Sequence, residues 1–150
     1  MTFYLRNGVG LVAGVVQVES GAILIGVTRG VALPLGGLLI SHGTNNIYEG
    51  WGNIHKGPQQ AGVIGPTRWV YQQVAGGVYK GNMAYGTMDL GLSAYGMFRL
   101  VLKKHGVQLF RPDFINYERA YKQSGRLTLF LEAVADGITL NGMSQEEDNE

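Results

Sequence analysis

The residues of this 150-residue chain best suited to chemistry lie in one short run, His42-Gly43-Thr44-Asn45-Asn46-Ile47-Tyr48-Glu49. On a helix, positions 42, 45, 46 and 49 fall on one face, because they are spaced i, i+3, i+4 and i+7. Leu35, Leu38 and Leu39 precede them on that face, so an apolar stripe runs straight into a polar one. A buried polar group left unpaired costs roughly 1–3 kcal/mol, so such a cluster must pair internally or line a cleft. The inventory suits a hydrolytic or transferase pocket: Glu49 as acid or base, His42 as proton carrier, and Asn45, Asn46 and Tyr48 to orient a ligand. Glu49 lies seven positions after His42, about 10 Å along a straight helix, so the two would act on opposite ends of a ligand. One histidine and one carboxylate on this face do not make a metal site. The competing reading is structural: Asn45, Asn46 and Glu49 cap neighbouring helix ends and tie loops to the core, with His42 as a satisfied partner.

Tyr85, Asp89 and Ser93 share a second helical face, beside Leu92 and Gly96. Asp89 would supply a second carboxylate facing Glu49, and paired carboxylates in different environments are acid/base machinery. Alternatively it receives Arg68 or Tyr48 in a structural network. Ser93 sits in no Gly-x-Ser-x-Gly elbow, which weakens a nucleophile reading and leaves it a substrate contact. Arg68 and Tyr71 share a face able to hold an anionic group, although solvation is the commoner fate of such residues. The expected catalytic set is therefore His42, Glu49 and Asp89; Asn45, Asn46, Tyr48, Arg68, Tyr71, Tyr85 and Ser93 are the expected substrate contacts. Tyr117, Glu118, Tyr121 and Lys122 read as packing plus a surface ion pair. Glu132 and Asp136 read as solvated, and His55 and His105 as surface residues. No phosphate loop, dinucleotide fingerprint or zinc signature is present, so no cofactor is expected.

These groups need a scaffold, and the chain is long enough for a single domain with its own core. Apolar residues form 45% and charged residues 15% of it, the latter well below the usual quarter. Such a chain buries most of its length, rests on a membrane or docks on a partner. A net charge of +1, with its basic residues scattered, argues against phosphate neutralisation and so against nucleic acid. Without cysteine there is no disulfide frame, thiolate zinc site or cysteine nucleophile.

The pattern predicts an all-α fold: a compact, glycine-rich bundle of about five to six helices. Residues 8–41 form the most apolar third, read as two buried helices or as a helical hairpin able to contact lipid. Its valines also permit strands. Gln17, Glu19, Thr28 and Arg29 interrupt it, so no charge-free run reaches the ~18 residues of a span. Gly10 with Gly14, and Gly26 with Gly30, have the small-xxx-small spacing of close helix packing. Pro34 opens a helix to about Asn53, and residues 56–66 read as a loop. Pro66 opens the next helix, to about Tyr79, with Gly76-Gly77 ending or fraying it. Further helices are expected over Asn82–Lys104, from Pro112-Asp113 to Gln123, and from Leu127 onward. The domain is expected to span 1–142, followed by a disordered acidic tail over 143–150. The N-terminus loosely resembles a signal peptide, but no clean cleavage site follows. The chain could equally be the C-terminal portion of a longer protein.

The run Ser41 to Gly50 resembles the hallmark of a bacterial domain family of unknown function. Gly65-Pro66-Thr67-Arg68-Trp69-Val70-Tyr71 is similar to that family's next motif, and Ala84-Tyr85, Asp89-Leu90 and Ser93-Ala94-Tyr95-Gly96 to the one after. The resemblance implies a secreted, effector-like protein: a toxin delivered to a rival bacterial cell and neutralised in its producer by an immunity protein. It implies no chemistry. The leading expectation is a toxin domain hydrolysing a substrate through His42 and Glu49. Its rivals are a membrane-inserting toxin using residues 8–41 and a non-enzymatic interaction module.

Overall fold

A computed structural model describes residues 3–60, 62–98, 100–102, 117–119, 122 and 125–147. Among them are five helices, α1 (Phe3–Val27), α2 (Leu33–Lys56), α3 (Pro66–Ala75), α4 (Val78–Phe98) and α5 (Arg126–Glu147). The fold is all-α, with one short antiparallel pairing of β1 (Leu100–Leu102) and β2 (Tyr117–Arg119), in which Val101 lies opposite Glu118.

The helix boundaries follow local chemistry. α1 ends where Thr28 Oγ1 donates to the Leu24 carbonyl at 2.7 Å and accepts the Ala32 N–H at 3.1 Å, closing the turn by side chain. Arg29 and Gly30, both at positive φ, then reverse the chain. Pro34 occupies the first turn of α2, where its missing N–H has no helical partner to lose. Pro66 does the same for α3, and Gly76 ends that helix in the left-handed region.

α1 and α2 lie antiparallel in close contact. A Cβ on Gly14 would meet the Gly43 carbonyl oxygen at 2.6 Å, and one on Gly21 would meet the Gly36 carbonyl oxygen at 2.6 Å. Asn7 and Gly50 form the third rung, with a Cβ on Gly50 lying 2.8 Å from the Asn7 carbonyl oxygen. The rungs recur every seven residues on both helices, the interval that keeps one seam facing a partner. The expected Gly10/Gly14 and Gly26/Gly30 pairs are not this seam, since a Cβ on Gly10, Gly26 or Gly30 would meet nothing within 4 Å. A small apolar core of Leu24, Leu39 and Leu92, flanked by Ala32 and Leu35, sits at one end of the hairpin. Leu38, expected on the same face, points outward at 38% exposure.

Several boundaries differ from expectation. The helix expected from Asn82 to Lys104 starts at Val78 and ends at Phe98, where the chain turns into β1. Tyr117–Arg119 forms a strand where a helix to Gln123 was expected; a three-residue segment can take its conformation from the strand it pairs with, against its own helical spacing. Residues 103–116, including His105 and the Pro112-Asp113 start, lie outside the described residues. α5 continues through Glu147, so the tail expected from 143 begins inside a helix.

Candidate functional site

α3 lies against the polar face of α2, and Asn45 joins them. Its Oδ1 accepts the Thr67 N–H at 2.9 Å and the Arg68 N–H at 3.4 Å, two of the donors that a helix start leaves without a helical acceptor. Its amide group donates to Glu49 Oε1 at 2.9 Å and to the Tyr85 hydroxyl at 3.1 Å. With two donors and two acceptor sites all engaged, Asn45 can be buried to 1% exposure without penalty.

Glu49 extends the clamp by one turn. Its Oε1 accepts the Gly65 N–H at 2.9 Å and Arg68 Nε at 2.8 Å, and its Oε2 accepts Arg68 Nη2 at 3.0 Å. The two planar groups therefore meet edge to edge, the strongest geometry for this pair. Burial disfavours the charge on Arg68, but the bonds and charge of Glu49 hold the guanidinium above its usual value. The guanidinium carbon lies 4.3 Å over the Tyr85 ring, and His42 stacks on Tyr85 at 4.4 Å.

His42 is wholly buried. Its Nδ1 lies 3.3 Å from Asp89 Oδ1 and its Nε2 lies 3.2 Å from the Tyr71 hydroxyl. An ionised carboxylate can only accept, so Nδ1 carries the proton; in the neutral ring Nε2 then accepts the Tyr71 O–H. Burial and the Asp89 charge both raise the Tyr71 pKa, keeping that hydroxyl a donor. The same two influences, in the same order, push Tyr85 up strongly. The Tyr85 hydroxyl donates to Asn46 Oδ1 at 2.8 Å, and Asn46 Nδ2 donates to Gln17 Oε1 at 3.0 Å. Gln17 Nε2 closes the loop by donating to Asp89 Oδ1 at 2.8 Å.

The structure thus gathers His42, Asn45, Asn46, Glu49, Arg68, Tyr71, Tyr85 and Asp89 into one network. Two expected members stand apart. Tyr48 is 56% exposed, because its position falls on the outer side of α2. Ser93 lies one turn beyond Asp89 on α4 and donates to Asp136 Oδ2 at 3.1 Å. That bond corrects the solvated reading of Asp136. Its carboxyl is half-buried and its pKa is raised by burial, a shift the Ser93 bond opposes and the Asp89 charge reinforces. Arg68 is likewise not a solvated cation, since it is spent on Glu49. Asp89 receives Gln17, His42 and Asn46 rather than the Arg68 or Tyr48 of the structural alternative.

Sequence reasoning missed Gln17. The signal was available: it is the polar residue three after Gly14 and four before Gly21, and so faces the seam those glycines make. Asn53 was missed too. It donates to Asn7 Oδ1 at 3.0 Å and accepts the Val63 N–H at 2.6 Å, fixing the loop between α2 and α3. Beside the network is a cavity of about 180 Å³, reached by Asn46, Glu49, Arg68, Tyr85 and Asp89 and walled by α1 and α5. Among the described residues, no three His, Asp or Glu side chains converge to hold a metal ion.

A family model described as "Protein of unknown function (DUF4225)" matches residues 1–124, so the chain belongs to that uncharacterised family. No curated protein and no solved structure matches the chain.

Proposed function

We propose that this is a membrane-inserting domain of a toxin delivered between bacteria, in which the α1–α2 hairpin enters the bilayer and the polar network forms its interior. The supporting observation is an inverted distribution of side chains. Among the described residues, the buried polar side chains are Asn7, Gln17, His42, Asn45, Gln72 and Ser93, against only five buried apolar ones. Val12, Val15, Ile23, Val27, Leu33 and Leu38 meanwhile project outward from the hairpin at 38% exposure or more. A chain folded for water does the reverse. In lipid this arrangement is favourable, because polar groups turn inward to one another and small residues let helices approach.

α1 is long and apolar enough to cross a bilayer, with a mean hydropathy of 1.8 over its best window. α2 carries no charged residue from Leu33 to Tyr48 apart from the titratable His42. Glu19, exposed on α1, opposes insertion, and within a bilayer it needs a polar neighbour. The effector context implied by the motif run fits this reading, because a domain that breaches a membrane requires its producer to hold a neutralising partner.

The hydrolytic reading rests on the His42–Asp89 contact at 3.3 Å, the pairing that orients a catalytic imidazole. Against it, both ring nitrogens are occupied and the ring has no exposed surface. One experiment separates the readings: purified protein is mixed with sealed vesicles of bacterial lipid loaded with a self-quenched dye. Insertion predicts co-flotation with the vesicles and dye release at low protein-to-lipid ratio. Vesicles left sealed, with the protein remaining in the aqueous fraction, would sink it.

A further inference from the structure

α5 differs from the other helices in how it is held. Each of α1 to α4 contains buried residues, whereas among the described residues of α5 none is buried. It lies on α1 and α4. On α4, Gly86 makes room for it: a Cβ there would meet Met143 Sδ at 2.8 Å and Thr139 Cγ2 at 3.4 Å. Seven positions further along α4, Ser93 donates to Asp136 Oδ2 at 3.1 Å. Contacts that climb α4 thus descend α5, so the two helices run antiparallel. Toward α1 the joint is not filled. Ala135, Ile138 and Gly142 line the cavity of about 180 Å³ together with Asn7 and Gly10 of α1 and with Asp89 of the network. Well-packed interiors leave few voids larger than a water molecule, so α5 is loosely seated. Elements with few buried contacts are the first to open. α5 also lies beyond residues 1–124, the part of the chain that the family model matches.

We propose that α5 is a releasable lid: it shuts the polar cavity in water and leaves α1 and α4 as a unit, without unfolding them. Its release frees α1 for the bilayer, a consequence that rests on the membrane reading, whereas the opening itself does not. The sequence of α5 carries Glu132, Asp136, Glu146 and Glu147. Carboxylates are costly at bilayer depth, so α5 cannot follow α1 into the hydrocarbon while it is docked there.

A reversible tie tests both steps. The chain has no cysteine, so Gly86→Cys with Met143→Cys introduces its only thiols. A Cβ at position 86 lies 3.1 Å from Met143 Cγ, which brings the pair within disulfide reach. Ser93→Cys with Asp136→Cys supplies a second tie at the other contact. Without lipid, wild-type amides over 135–143 should exchange hydrogen about tenfold or more faster than those of α2 from Leu39 to Gly50, and the oxidised tie should remove the difference. Equal protection of the two stretches in wild type overturns the lid. With dye-loaded vesicles of phosphatidylethanolamine and phosphatidylglycerol, either oxidised pair, shown folded by circular dichroism, should leave the dye inside, and reduction should release it. Equal release by the oxidised and reduced forms overturns the lid and leaves insertion standing. Dye retained by reduced and wild-type protein alike, with the exchange difference present, supports the lid and overturns insertion.

Discussion

At the scale of single residues, the network is distinguished by how fully it satisfies itself. Glu49 takes three donors on one oxygen and one on the other, and its pairing with Arg68 holds α3 to α2. Glu49→Gln keeps the shape and leaves the guanidinium without a counter-charge. Breaking a fully buried pair from one side costs ~3–5 kcal/mol. Arg68 keeps 26% of its side-chain surface, so a loss of about 2–3 kcal/mol is expected, read from urea unfolding. Vesicle leakage should fall only in step with the folded fraction. An unchanged unfolding midpoint with abolished toxicity would instead mark Glu49 as a reacting group. The convergence of these side chains was legible in the sequence, because i, i+3, i+4 and i+7 spacing fixes a face whatever the tertiary fold. Their partners were not. Nothing local says that Asn45 will cap a helix beginning twenty-odd residues later, or that Asp89 will receive Gln17 from 72 residues away.

At the scale of helices, the α1–α2 seam decides how close the network's parts can come. Gly14 and Gly43 each leave room for the other's backbone, and Gln17 sits one turn along from that contact. Gly43→Val would force the helices apart, since a Cβ there meets the Gly14 carbonyl oxygen at 2.5 Å and Gln17 Cβ at 2.9 Å. Overpacking of this kind costs ~1–3 kcal/mol, and more where the obstacle is backbone. Gly10→Ala is the internal control. It faces open space on the same helix and should stabilise the fold by about 0.5–1 kcal/mol through helix propensity. Thermal midpoints moving in opposite directions would confirm the seam; a fall in both would place the contact elsewhere. The sequence announced tight packing through its 24 glycines but pointed to the four-residue spacings rather than the seven-residue one. Both patterns coexist in so glycine-rich a chain, and only the partner helix selects between them. The strand at Tyr117–Arg119 escaped for a related reason: β1, which pairs with it, lies inside what reads as a continuing helix.

For the whole molecule, the question is which solvent its outside is built for. The apolar outer face of the hairpin passes into exposed aromatic residues toward the end where α2 finishes and α3 begins, with Trp51 at 65% and Trp69 at 55% exposure. Tryptophan favours the boundary between headgroups and acyl chains, whereas valine carries no such preference and belongs deeper. If the hairpin enters with its Arg29-Gly30 turn leading, Val15 should lie well inside the hydrocarbon and Trp51 near its surface. Brominated lipids measure this directly. Trp69→Phe leaves Trp51 as the sole tryptophan; adding Trp51→Phe and Val15→Trp moves the probe to mid-α1. Val15 is 50% exposed, so the larger side chain displaces no core. Bromines deep in the acyl chain should quench the Val15→Trp variant most, while shallow bromines should quench Trp51 most. Quenching without depth dependence, or water-like emission from both positions in the presence of lipid, would mean that the hairpin does not enter the bilayer.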